Sequence, residues 1–289
     1  MELINNIANS FSYYYMQMNK LSGIEYFFIF GAIFITLAII APSKPSQPLF
    51  RKDMVADILY WFLGQPLIYG PAGKILFGLL VVSGLYSAQN LNILFSEGTS
   101  PLKDLPILLQ AFLILVVMDI IQYWTHRLFH GKTFWKFHAI HHAQVNVDWL
   151  TCVRFHPVNL LIHSTCVFVI VQLFGFSPLA WAVLVPFNTI YSPLVHANLN
   201  WTYGPFRYVL ASPVFHRWHH TYEEEGGNKN FAPTFPILDI IFGTYYDPKG
   251  VQPKIFGAQN DKVPDDIIGQ LKYPFEEIVK EFKNGKIRN

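Results

Sequence analysis

The chain has 289 residues, of which 52% are hydrophobic, 17% aromatic and 14% charged. A charged fraction this far below the roughly 25% of soluble domains indicates a membrane protein. The net charge is +2 and the basic residues form no stripe, so nucleic acid is not an expected partner. Cys152 and Cys166 provide neither a disulfide framework nor a metal-binding spacing.

Apolar segments predict a series of membrane-embedded helices. The first four cover residues 26–41, 54–69, 75–95 and 105–124, with lengths near or below the roughly 20 residues that cross a bilayer. Residues 155–206 then contain no Asp, Glu, Lys or Arg, and Gly175, Ser177 and Pro178 interrupt them. This pattern predicts a helical hairpin over residues 158–174 and 179–195. Because a hairpin returns the chain to its starting side, the segments before and after it share one face of the membrane.

The distribution of basic residues predicts the orientation. Of the 21 Lys and Arg residues, 15 lie at or after Arg127, so the following region and the C-terminus are expected to be cytoplasmic. The same rule places the loop with Lys44 and Arg51 inside. Three full crossings between that loop and Arg127 would put the two on opposite sides. Either this loop faces outward or one of the three segments is interfacial or re-entrant. We expect the latter, for residues 54–69, because Asp57, Gly64 and Pro66 interrupt them.

The histidines carry the clearest functional signal. All eleven lie between His126 and His220. Neutral imidazole binds iron, zinc and copper, and positions i, i+3 and i+4 share one face of a helix. A zinc ion needs three or four ligands, so eight grouped histidines, or nine with His196, predict two metals held close together. His163 stands alone and is not an expected ligand. The three groups are His126/His130, His138/His141/His142 and His216/His219/His220.

Six motifs, taken in order, resemble the fatty acid hydroxylase/sterol desaturase superfamily. They are HRLFH at 126–130, HAIHH at 138–142, RFHP at 154–157, HANLN at 196–200, SPVFHRWHH at 212–220 and LDIIFGTYY at 238–246. The resemblance covers about residues 105–247. It implies an integral-membrane di-iron enzyme that uses O2 to hydroxylate or desaturate a lipid. The metal ligands that it implies are His126, His130, His138, His141, His142, His196, His216, His219 and His220.

The same resemblance makes His156, in the RFHP motif, a weaker candidate ligand. Members of the superfamily often have an acidic residue soon after that proline, where this chain has Asn159. Asp119 lies seven residues before His126 on the same helical face, so it could accept a proton from a ligand imidazole. The alternative is an ion pair between Asp119 and a nearby basic residue. Asn200, one turn after His196, could be a weak ligand or hydrogen-bond partner.

These patterns predict an all-α, polytopic membrane helical bundle with a cytoplasmic, histidine-rich helical cap that holds a dinuclear metal site. Three parts are expected: N-terminal membrane helices over 1–104, a catalytic domain over 105–247 that includes the hairpin at about 158–195, and a cytoplasmic C-terminal tail over 248–289.

The predicted function is a membrane-bound, O2-dependent lipid hydroxylase or desaturase with two Fe ions, which zinc could replace in purified protein. The chain shows neither a dinucleotide fingerprint nor a cysteine set for an iron–sulfur cluster, so a separate ferredoxin, cytochrome or reductase is the expected electron donor. Sterols, fatty acyl chains and related long-chain lipids remain open as substrates. The alternatives are a zinc-dependent membrane hydrolase and a non-catalytic metal-binding or transport protein.

Overall fold

The computed structural model describes residues 23–51, 53–64, 82, 100–222, 226–258 and 261–284. Within these residues the chain forms α-helices, short 3-10 turns and loops, without a β-strand, and one isolated bridge joins Thr221 to Phe256. The all-α prediction is confirmed. The helices are α1 (Ile24–Ile40), α2 (Met54–Gly64), α3 (Ile107–Phe129), α4 (Trp135–His142), α5 (Pro157–Phe174), α6 (Pro178–His196), α7 (Pro213–His219), α8 (Ile237–Ile241) and α9 (Ile267–Lys283).

Two of these helices, α3 and α6, are long and apolar enough to cross a membrane. Helix α3 packs against both α5 and α6 through an apolar core that includes Ile114, Met118, Ala180 and Leu184. At the end away from the histidines, the Gln110 side chain accepts a hydrogen bond from the N–H of residue 177, at 2.9 Å, which holds the turn of the α5–α6 hairpin. The predicted hairpin agrees with the observed helix bounds to within one residue.

The loop after α1 lies at the histidine end of the bundle. The backbone N–H of Lys44 donates to Asn198 Oδ1 at 2.9 Å, close to the end of α6. Asp57, near the start of α2, is fully buried among charged groups. The basic loop and the histidines therefore share one side, as the charge distribution predicts. The predicted span at 75–95 lies outside the described residues, except for residue 82.

The C-terminal helix α9 packs on the outside of α4. Tyr273 lies in a small apolar cluster with Ala139 and Ile140, and Lys136 forms a 2.8 Å ion pair with Glu281. Residues 248–258 and 261–284 thus cover the cap that carries the second histidine group. The division of the chain at residues 104 and 247 stays a prediction, since residues 65–81 and 83–99 are not described.

Candidate metal centre

Four helix ends bring the histidines together. Helix α3 ends with His126 one turn before His130, α4 carries the HAIHH motif, α6 ends at His196, and α7 carries the last motif. The Ser212 side chain caps α7 by accepting a hydrogen bond from the N–H of Phe215 at 3.1 Å. Because α5 and α6 form a hairpin, the chain returns to the end of α3 before the last motif begins. All nine predicted ligands therefore meet in one place.

The nine imidazoles form two groups, and within each group the potential ligand atoms lie within 4.8 Å of one another. We call them the five-histidine group and the four-histidine group. No Asp, Glu or Cys of the described residues belongs to either. The five-histidine group consists of His126, His130, His138, His142 and His219, and the four-histidine group of His141, His196, His216 and His220.

The two HxxHH motifs divide their histidines in opposite ways. The first motif contributes His138 and His142 to the five-histidine group but His141 to the other. The last motif contributes its i and i+4 residues, His216 and His220, to the four-histidine group and only its middle histidine to the other. The rings of His142 and His220 stack at a centroid distance of 4.5 Å, so the groups are in direct contact. The arrangement suits two ions held side by side.

The nitrogen–nitrogen distances fit metal coordination. Nε2 of His138 lies 3.0 Å from that of His126 and 3.2 Å from that of His142. In the other group, Nε2 of His216 lies 3.0 Å from that of His196 and 3.3 Å from that of His220. Nitrogens bound to one metal at about 2.1 Å are about 3.0 to 3.4 Å apart in octahedral or tetrahedral geometry. The observed distances fall in this range.

Tautomers fixed by neighbouring carbonyls strengthen the case for a cation. His141 Nδ1–H donates to the carbonyl of Arg154 at 3.2 Å, and His196 Nδ1–H donates to the carbonyl of Ser192 at 2.7 Å. Since a carbonyl only accepts, the Nε2 atoms of both rings carry lone pairs, and these atoms face each other at 3.3 Å. Two lone pairs at this distance repel each other unless a cation lies between them.

Burial keeps the imidazoles neutral. It lowers the pKa of the histidines in both HxxHH motifs well below the usual value, and neighbouring imidazoles lower it further. Nε2 of His130 and of His219, both in the five-histidine group, is buried without a hydrogen-bond partner. Buried polar atoms normally have partners, so these two nitrogens are available as ligands. The residues present fit a pair of metal ions.

The ligand set also bears on which metal fits. Imidazole suits iron, zinc and copper, whereas structural zinc sites are almost always four-coordinate. A group of five histidines exceeds that number before any water or substrate is added. The five-histidine group therefore suits a metal that accepts more than four ligands.

Backbone carbonyls orient two rings of the five-histidine group. His126 Nδ1–H donates to the carbonyl of Phe231 at 2.8 Å, and His219 Nδ1–H donates to that of Lys229 at 2.6 Å. Such bonds fix the tautomer and the direction of a ligand imidazole. The loop at residues 229–235 is thus part of the centre, although none of its side chains is a candidate ligand.

Two buried carboxylates hold this loop in place. Asp119, in the middle of α3, accepts the N–H groups of Thr234 and Phe235, both at 2.8 Å. Asp239, in α8, accepts the N–H groups of Phe231 at 2.8 Å and of residue 232 at 2.9 Å. The bonds that Asp119 makes among the described residues go to this backbone and not to an imidazole. Asp119 holds the loop whose Phe231 carbonyl accepts the hydrogen bond from His126.

Asn159 is the residue whose role the sequence left unassigned. Its Oδ1 accepts a hydrogen bond from His138 Nδ1 at 2.7 Å, and the side chain is buried at the start of α5. Its position after the RFHP motif is the signal that could have identified it. Asn159 therefore orients His138 from a position where the resemblance leads us to expect an acidic residue.

A buried ionic network supports the four-histidine group. Arg154, whose carbonyl orients His141, donates through its guanidinium to Asp57 and to the backbone carbonyl of Asp53. Arg51 also contacts Asp57 and forms a bidentate pair with Asp148 at 2.8 and 3.0 Å. Both arginines and Asp57 are almost completely buried. The network joins the start of α2 to the loop that positions His141.

Two other sequence candidates, His156 and Asn200, lie outside the two groups, and so does His163, which was not an expected ligand. His156 uses both ring nitrogens elsewhere, with Nε2 3.1 Å from the carbonyl of Leu271 and Nδ1 accepting from the N–H of residue 158. His163 Nδ1 lies 2.8 Å from Thr125 Oγ1, and neither histidine belongs to a metal group. Asn200 is exposed and gives its backbone N–H to the carbonyl of Ala41, so it is not brought to the rings.

Residues 111–244, which contain all nine grouped histidines, match the family described as fatty acid hydroxylase. This part of the chain belongs to the fatty acid hydroxylase superfamily. The matched region of this superfamily begins inside α3 and ends after α8, so it includes both HxxHH motifs, the hairpin and the loop at 229–235.

Relatives within the superfamily have several lipid-related names. The chain is 30% identical over 172 residues to an ornithine lipid hydroxylase of Rhizobium tropici, covering 59% of this chain and 51% of the relative. It is 26% identical over 226 residues to an alkylglycerol monooxygenase of Xenopus tropicalis, covering 78% and 47%. A methylsterol monooxygenase of Arabidopsis thaliana is 28% identical over 141 residues, covering 47% and 52%. The matches therefore span about half of each relative's length. No solved structure matches this chain.

Proposed function

We propose that this protein is a membrane-bound di-iron oxidoreductase that uses O2 to hydroxylate or desaturate a lipid. The observation that carries the proposal is the pair of all-histidine groups at the ends of two apolar helices. Related proteins named as lipid hydroxylases and monooxygenases support the reaction class. The likeness does not distinguish the substrates of those relatives, so the substrate class proposed is a long-chain lipid.

The chain's own residues have three tasks in this proposal. The nine histidines would hold the two ions, and the carbonyl and Asn159 acceptors would keep Nε2 of His126, His138 and His141 pointed at its ion. Bound iron would supply the reduction of O2 and the removal of hydrogen from an unactivated carbon. His219 and His220 are completely buried, so bulk water would not reach the centre from their side.

The orientation and the redox partner are also proposals. The basic excess after Arg127 supports a cytoplasmic histidine centre, and Lys44 on the same side agrees with it. Electrons would come from a separate ferredoxin, cytochrome or reductase that docks on this basic face. The apolar surfaces of α3 and α6 would let a lipid substrate reach the centre from the bilayer.

The proposal is tested by lipid profiling and O2 uptake. Cells that produce the protein should show an O2-dependent change in one lipid class, and the reduced, purified protein should consume O2 when that lipid is added. His219→Ala should abolish both effects because it removes a ligand of the five-histidine group. His163→Gln is the matched control, since it changes a nearby histidine that belongs to neither group.

A zinc-dependent hydrolase is the competing function. It would need an open metal position and a general base, and the two groups contain no carboxylate of the described residues that could act as the base. Protein from iron-replete cells that contains zinc alone, takes up no O2 on reduction and still alters a lipid would contradict the oxygenase proposal.

A further inference from the structure

The segment that follows the last histidine motif runs down the side of α3, toward the end of that helix farthest from the histidines. Asp119 lies seven residues before His126, which is about 10 Å along the helix axis. At this depth its carboxylate receives the N–H groups of Thr234 and Phe235. The ring of Phe235 reaches further, to a centroid distance of 6.4 Å from Phe112 near the start of α3.

The segment then returns to the histidine end. Helix α8 begins at Ile237, and the ring of Phe242 just after it packs on Trp124 near the end of α3 at a centroid distance of 4.8 Å. The side chain of Thr244 bonds Tyr123 Oη at 2.9 Å. Residues 231–244 thus descend and return beside a helix that is apolar enough to cross the bilayer.

The outer face of this segment is apolar. Ile241 is 64% exposed and Ile237 47% exposed, with Ile240 and Phe242 also open to the surroundings. The exposed side chains on the adjacent surface of α3, such as Phe112 and Trp124, are apolar as well. The single charged residue between 231 and 244 is Asp239, which is fully buried. Exposed apolar patches that continue a lipid-facing surface indicate contact with hydrocarbon rather than with water.

The backbone N–H groups at the start of the segment have protein partners, as a location within the bilayer requires. Non-helical chain at membrane depth is tolerated only where its polar groups are satisfied by protein. Residues 231–235 offer four N–H groups, because residue 233 is proline, and Asp119 and Asp239 accept all four. A buried acid in an apolar span is costly and needs such a compensating role.

We propose that residues 231–244 form a re-entrant segment that enters the bilayer beside α3 and exposes Ile237, Ile240 and Ile241 to lipid hydrocarbon. The segment also carries the Phe231 carbonyl that orients His126, so it links the lipid-facing surface to the metal centre. The inference rests on α3 crossing the membrane, which the proposed function also requires.

Site-directed spin labelling in vesicles of neutral phospholipid tests the proposal. In a background with Cys152→Ser and Cys166→Ala, a nitroxide is attached at Ile241→Cys, at Leu109→Cys on exposed α3, and at Lys262→Cys on the exposed C-terminal region. The label at residue 241 should resemble the one at residue 109, with high access to O2 and low access to a water-soluble nickel chelate. The label at residue 262 should show the reverse.

If the label at residue 241 is as accessible to the nickel chelate as the label at residue 262, while the label at residue 109 is shielded, the re-entrant segment is overturned. The proposed function would still stand in that case. If the label at residue 109 is also accessible to the chelate, the re-entrant segment and the proposed function are both overturned, because α3 would then not cross the membrane. Ile237→Cys provides a second position on the same face if the first variant does not fold.

Discussion

His141 and His142 are neighbours in the chain, but their rings are nearly perpendicular, at 87°, and enter different histidine groups. The split follows from helix geometry, because residues i and i+1 point about 100° apart around the axis. His142 joins His138, one turn earlier, while His141 meets His196 from α6. One short helix therefore supplies ligands to both groups and sets the distance between them.

This split predicts different metal losses in two single variants. His142→Ala should weaken the five-histidine group, and His141→Ala the four-histidine group, so each variant should fall from about two bound irons per chain to about one. Metal analysis combined with Mössbauer spectroscopy should show that the variants lose different components of the spectrum. Loss of the same component in both variants would contradict two separate groups.

Asn159 should control metal affinity without being a ligand. Asn159→Leu removes the acceptor of His138 Nδ1–H, and loss of such an outer partner typically costs about 10- to 100-fold in metal affinity. Asn159→Asp retains an acceptor oxygen and should bind metal at least as tightly as the natural protein. Competition with a chelator measures both. The exposed Asn200→Leu is the control and should leave affinity unchanged.

The buried ionic network should be sensitive to removal of its central acid. Asp57→Ala would leave Arg51 and Arg154 buried without their shared carboxylate, which typically costs about 3–5 kcal/mol in the free energy of unfolding. A lowered thermal unfolding midpoint in detergent should report the loss. Glu277→Ala, which breaks the exposed pair with Lys280, should leave the midpoint unchanged. Equal midpoints for both variants would rule out a structural role for the network.

The metal-free protein should lose stability in acid. Burial lowers the pKa of the motif histidines, so the unfolded chain takes up protons first as the pH falls through about 6.5. The stabilising effect of their neutral form is present above that pH and is lost below it, by up to about 1.4 kcal/mol per pH unit for each histidine. Unfolding midpoints of the apo-protein between pH 8 and pH 5 measure this slope. A flat profile would mean that the rings are not buried as described.

Much of the centre could be predicted from the sequence because the histidine spacings are local. The HxxxH and HxxHH patterns place ligands on one helix face, and the uncharged hairpin explains how distant motifs meet. The allocation of His141 and His219 to opposite groups could not be predicted, since it depends on how three helices approach one another. The number of membrane crossings before α3 stays a prediction.

The groups that orient the histidines were harder to predict because most of them are backbone carbonyls. The carbonyls of Arg154 and Phe231 leave no side-chain signature in the sequence. Asp119 was identifiable as an unusual acid in an apolar helix, but its true partners, Thr234 and Phe235, lie more than a hundred residues later in the chain. Only tertiary structure could pair them.

The most direct test of the dinuclear centre is Mössbauer spectroscopy of reduced protein loaded with iron-57, together with its iron content. We predict about two irons per chain and two ferrous doublets of similar area, one for the five-histidine group and one for the four-histidine group. His219→Ala should remove only the first doublet. One iron per chain, or a single doublet that His219→Ala leaves intact, would contradict the account.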